Sequence, residues 1–135
     1  MLILKKRINR IQYEINLFSL FFMAELKHPS FSILITTVDS SSEADSLSKH
    51  LVENKLAACV NIIGPSTSVY NWKNNLENSK EYVLWIKTLT ENILSVSNTI
   101  KSLHSYDIPE IISFPFKSHN NDYSQWICDI FGKEE

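Results

Sequence analysis

Glu81-Tyr-Val-Leu-Trp-Ile-Lys-Thr88 reads as a strand with two apolar faces, and that double-sidedness decides the fold. Successive side chains of a strand alternate between faces, so Tyr82, Leu84 and Ile86 point one way and Val83, Trp85 and Lys87 the other. Bulky and β-branched groups on both sides predict an interior strand that water touches little. Lys87 is out of place there, because an ammonium taken from water without a partner is costly. It is expected to pair with Glu110 or Glu81, or to reach solvent.

Downstream, Thr88 and Glu91 have the spacing of a capping box. Ile93, Val96, Ile100 and Leu103 then fall on one helical stripe, and Pro109 bars its continuation. Ile112, Phe114 and Phe116 alternate with polar residues and Pro115, predicting a strand at an edge or bulge. Asn121 is placed to cap a last helix with Tyr123, Trp126, Ile127 and Ile130 on its apolar face. Upstream, Phe31 to Val38 is a β-branched-rich strand, and Ser40 with Glu43 opens a helix over about residues 42–54. Ala44, Leu47, Leu51 and Leu56 form its stripe. Ala57 to Ile63 reads as a buried strand that kinks at Gly64-Pro65 and continues to Trp72, with a turn at Lys73-Asn74-Asn75. The order β-α-β-β-α-β plus a terminal helix predicts an α+β, ferredoxin-like sandwich, with two helices on one face of a four-stranded antiparallel sheet. Its other face is left bare yet apolar, so a further subunit is expected to cover it.

The 135-residue chain has room for one domain, expected over residues 31–132. A net charge of −2 carries no basic footprint for nucleic acid. Two distant cysteines, Cys59 and Cys128, make no disulfide framework, so a reducing, cytoplasmic setting is expected. Gly64 and Gly132 are the only glycines, which removes phosphate-cradling Gly-rich loops. Residues 1–30 stand apart. Lys5, Lys6, Arg7 and Arg10 precede the short apolar run Leu17 to Met23, well below the roughly 20 residues of a membrane span. Four readings stay open for this extension: a targeting segment over residues 1–27, a disordered tail, a packed element, or a gene-model artefact with translation beginning at Met23.

Ferredoxin-like folds host many activities, so function is argued from sites. A copper chaperone needs C-x-x-C between first strand and first helix, where this chain has Thr36-Thr37-Val38-Asp39-Ser40. An RNA-recognition module needs aromatic motifs that the first strand lacks beyond Phe31. A phosphate-cleaving loop needs arginine, and none follows Arg10. No nucleophile–base pair is identifiable by spacing, and His28, His50 and His119 read as surface residues. A regulatory or metal-responsive oligomer, not an enzyme, is the reading left.

Leu56-Ala-Ala-Cys-Val-Asn-Ile62, Ser68-x-Tyr70-x-Trp72-Lys73, Glu81 with Ile86-Lys87-Thr88, Leu103-His104-x-Tyr106-x-x-Pro109-Glu110-Ile111 and Tyr123-x-x-Trp126-Ile127 follow one another in register. In these segments the chain resembles the CutA divalent-cation (copper) tolerance family. The resemblance implies a homotrimer built like the PII signalling proteins, with a role in divalent-metal tolerance. No cofactor is required, and Cu(II) or another divalent metal is the implied ligand. Ser105 departs from the family pattern, which has proline after the histidine. The positions of the family's copper ligands are Thr36, Leu103 and His104 here, so only His104 remains as a metal-binding side chain. Lys87, His104, Tyr106 and Glu110, with Trp72, are assigned to an intersubunit cleft. A competing reading is a PII-like signalling trimer that takes a small anion at Lys87, or a partner protein. Plainer roles stand beside these: Cys59 as a buried small hydrophobe, His104 as a helix end, Glu110 as a backbone cap, Asp39 in a turn, and Trp72 and Trp126 as subunit-packing anchors.

Overall fold

Strand β1 (Phe31–Val38) lies between β3 (Asn75–Leu89) and β4 (Ile112–Phe116), and β2 (Cys59–Trp72) pairs with the far side of β3. Every pairing is antiparallel, in the order β2-β3-β1-β4, so the sheet is the ferredoxin-like one. The computed structural model describes residues 12–20 and 29–133. Residues 12–20 form an exposed helix, α1; the basic cluster, Met23 and His28 lie outside the described residues. Among the described residues no helix is long and apolar enough to cross a membrane.

Alternation along the strands builds two cores. Leu34, Val38, Leu84 and Ile86 face Ala44, Leu47 and Leu51 of α2 (Ser41–Glu53) and Val96 and Ile100 of α3 (Ile93–Leu103). Full burial of each leucine or isoleucine is worth about 1.5–3 kcal/mol, so this layer holds the fold. On the other face Phe31, Leu89 and Phe116 are register partners that meet Ile127 and Cys128 of α4 (Asn121–Ile130). The terminal helix thus covers one end of the second face. The remainder of that face, with Ile63, Trp85, Ile112 and Phe114, stays exposed.

Several local expectations shift. Ser40 caps α2, its Oγ accepting from the Glu43 N–H at 3.2 Å, but the Glu43 carboxylate turns to Ser105 instead of returning a bond. The second capping box does not form: Thr88 Oγ1 donates to the Leu56 carbonyl at 2.6 Å, and a 3-10 turn at Thr90–Asn92 leads into α3. Asn120, one residue before Asn121, caps α4 through the Asp122 and Tyr123 amides. Strand β2 begins at Cys59 and is an edge, so Ile62 and Ile63 are exposed rather than buried. Pro115 sits on the edge strand β4, where a missing N–H leaves no ladder bond unmade. Leu103, at the end of the helical stripe, is half exposed.

Candidate functional site

The β2–β3 hairpin runs past the end of β1, whose last pairing is Val38 with Tyr82. From Ser66 opposite Glu81 to Trp72 opposite Asn75 it is a two-stranded arm. Lys73 and Asn74, both at positive φ, close it as a two-residue turn, and Asn75 is already in β3. A bulge between Ile63 and Ser66 aims the arm. Gly64, at φ +155°, is needed there: a Cβ would stand 3.0 Å from the Glu81 carbonyl and from the Tyr82 ring.

The segment after α3 forms the opposite wall. His104 leaves the helix in extended conformation, and its buried ring holds the turn from both nitrogens. The Tyr106 N–H donates to Nδ1 at 3.0 Å, so the proton sits on Nε2, which donates to the Thr37 carbonyl at 2.9 Å. Glu43 grips the next residue twice, accepting from Ser105 N–H at 2.9 Å and from Ser105 Oγ at 2.8 Å. Tyr106 is thereby aimed across the sheet end, and its Oη donates to Glu81 Oε1 at 2.9 Å. Burial, first, holds the Tyr106 phenol well above its ordinary range; the bond to Glu81 and the negative charges of Glu81 and Asp39 add to this.

Between arm and loop lies a cleft of about 620 Å³. Tyr70, Trp72 and Glu81 line it from the arm, Tyr106, Asp107 and Glu110 from the loop, with Thr37 between them. Aromatic, aliphatic and carboxylate side chains line it, and among the described residues no basic side chain does.

Trp72, Tyr106 and Glu110 all line this cleft within one chain. Lys87 does not join them: it lies six residues along β3 from Glu81, about 20 Å at the rise of a strand. Its partner is an amide rather than Glu110 or Glu81, since Nζ donates to Asn61 Oδ1 at 2.7 Å. Half-buried next to the edge strand, it is not fully stripped of water, so no carboxylate is demanded. His104 lies behind the cleft, not in it, and both its nitrogens are engaged. Thr36 is fully buried with no hydrogen bond to Oγ1 among the described residues, and Leu103 is an apolar surface residue. Among the described residues no three His, Cys, Asp or Glu side chains are grouped to hold a metal. The residues at the family's copper positions do not fit that ion. Cys59 is half-buried, its Sγ 4.0 Å from Asn61 Oδ1, and so is not the fully buried hydrophobe expected. Trp126 stacks on Tyr123 at 5.5 Å on the outer side of α4. Glu81, Tyr70 and Asp107 are the cleft residues that sequence reasoning left out. Tyr70, two residues from Trp72 on one strand, was detectable from the period of two.

Known proteins resemble this chain over the same span. The family described as CutA1 divalent ion tolerance protein matches residues 32–129. A CutA homolog of Xenopus laevis is 39% identical over 101 residues, which is 75% of this chain and 67% of that one. The divalent-cation tolerance protein CutA of Thermus thermophilus is 37% identical over 100 residues, 74% of this chain and 97% of its own. The crystal structure of divalent ion tolerance protein CutA1 from Ehrlichia chaffeensis superposes with a TM-score of 0.72 at 35% identity, covering 76% of this chain and 95% of that one.

Proposed function

The chain belongs to the CutA1 divalent ion tolerance family, and from that premise we propose that it serves divalent-ion tolerance as a cytoplasmic homotrimer, by recognition and not by catalysis. The observation that carries the trimer is the uncovered sheet face. Trp85 and Phe114 meet edge to face at 6.3 Å, yet remain 36% and 39% exposed, with Ile112 and Ile63 beside them about half exposed. Aromatic and aliphatic groups gathered on one sheet face mark a surface made for another protein surface. Copies of the chain closing around an axis would bury it, and a closed ring needs no second patch left over.

The metal part of the reading takes a narrower form than the family name. With Thr36, Leu103 and an engaged His104, a copper centre of the family type has no ligand set here. The competing reading, a small anion held at Lys87, would use a place apart from the acidic cleft, where Nζ already donates to Asn61 Oδ1. For the compartment, cysteine usage favours the cytoplasm, although a rice relative is named as chloroplastic. Sequencing the mature N-terminus tests that point.

Trp85→Glu tests the trimer. Placing one carboxylate from every copy on the face should dissociate the assembly, read by sedimentation velocity, while circular dichroism stays that of the parent. A variant that sediments like the parent would move the interface elsewhere. Titration with Cu(II) tests the metal reading: parent and His104→Gln should give the same isotherm, and loss of a saturable site in the variant would restore His104 as a ligand.

A further inference from the structure

Glu81 is a carboxylate only 6% exposed, at the mouth of the hairpin arm. Its Oε1 accepts from Tyr106, whereas Oε2 accepts no hydrogen bond from the described residues. No lysine, arginine or histidine among them forms an ion pair with it. Buried carboxylates are rare unless paired, because an unpaired charge in a low-dielectric site is costly. The unused oxygen belongs to a residue that lines the cleft, and Asp107 and Glu110 line it too. Asp107 and Glu110 are exposed at the rim and Glu81 is buried, and charges of one sign along a concave surface concentrate the opposite ion.

The walls say what kind of cation. Tyr70, Trp72 and Tyr106 are among the lining residues, and aromatic faces attract ammonium groups at distances up to about 6 Å. The Lys73 ammonium, in the turn of the arm, already lies 6.0 Å from the Trp72 ring centre. A divalent metal is a poorer match, since it takes about six oxygens at close range and no metal-holding group of acids occurs among the described residues. A volume of about 620 Å³ suits a small molecule and far exceeds a bare ion.

We propose that this cleft binds a small organic cation of the aliphatic diamine class, with Glu81 as the counter-ion of one ammonium. The methylene chain lies on the aromatic walls, and the second ammonium meets Asp107 and Glu110. The proposal goes beyond ion tolerance and does not depend on the trimer, so either reading fails without the other.

Putrescine titrated into the full chain, followed by calorimetry, is the test, with butanediol, Mg(II) and citrate as controls. Putrescine should bind saturably, butanediol at least about tenfold more weakly, and added salt should weaken the binding as it screens the charges. Glu81→Gln keeps an acceptor for Tyr106 but removes the charge, and should lose at least about tenfold in affinity. Tyr106→Phe releases Oε1 and should bind as well as the parent or better. Should Glu81→Gln fail to fold, the Asp107→Asn, Glu110→Gln double variant takes its place, with the same direction expected. Unaltered binding in the charge variants, equal binding of butanediol, or no saturable binding of putrescine overturns the proposal. So does citrate binding in its place.

Discussion

Replacing Ser105 by proline restores the residue of the family pattern, and it is nonetheless expected to destabilise this chain. The Ser105 N–H and Oγ donate to the two oxygens of Glu43 at 2.9 and 2.8 Å, and proline supplies neither donor. Hydrogen bonds to a charged acceptor contribute about 1.5–3 kcal/mol each; both of these are near solvent, so the lower figure applies and the pair is worth about 3 kcal/mol. Proline has one compensation. His104 is extended at ψ 141°, as a residue before proline prefers, and stiffening the unfolded chain returns about 0.4–1 kcal/mol. The net cost is about 2 kcal/mol, roughly 10 °C in Tm for a domain of this size. Ser105→Ala, which loses only the hydroxyl, should cost about 1.5 kcal/mol. Urea unfolding at one fixed protein concentration measures both, since subunit association would otherwise shift the midpoint. Repeating the substitution in a Glu43→Gln background should shrink its cost, because the charge that strengthened both bonds is gone. A Ser105→Pro chain as stable as the parent, or a cost undiminished by the Glu43→Gln substitution, would refute the tether.

Thr36→Val should stabilise the chain by about 1 kcal/mol, because it removes a buried hydroxyl without a partner among the described residues. A urea midpoint that rises with an unchanged slope checks this, and a fall would mean that the hydroxyl is satisfied. Tyr106 predicts an alkaline limit. Its folded-state value is raised, chiefly by burial, so the folded chain holds this proton more tightly than the unfolded one. The resulting stabilisation is complete below the unfolded value of about 10 and is lost as pH climbs above it. Tyr106→Phe should flatten that alkaline decline, and tyrosinate absorbance should lose its latest-ionising phenol.

Patterns carried by one segment were legible in the sequence; contacts between distant segments were not. The α3 stripe gave Val96 and Ile100 their fully buried places, and Pro115 pointed to an edge. Thr88 has the spacing of a helix cap, but its hydroxyl is taken by Leu56, 32 residues away in sequence. No local rule contains that partner. Lys87 was rightly seen as unusual, yet its mate Asn61 depends on the β2–β3 register, which places Cys59 opposite Lys87. His104 was read as a ligand or a helix end because the Thr37 carbonyl that takes its Nε2 proton lies 67 residues earlier. Trp72, Tyr106 and Glu110 were placed together by resemblance. Glu81 escaped notice as a cleft residue because a glutamate opening a strand looks like a solvated end, whereas here the arm and Tyr106 enclose it.

The exposed face with Trp85, Phe114 and Ile112 makes assembly the central claim. Light scattering on the full chain, coupled to size-exclusion chromatography over a range of concentrations, tests it most directly. A single species of three times the 15.6 kDa chain mass, held across the dilution series, is the predicted result. A species of 15.6 kDa at every concentration would contradict it.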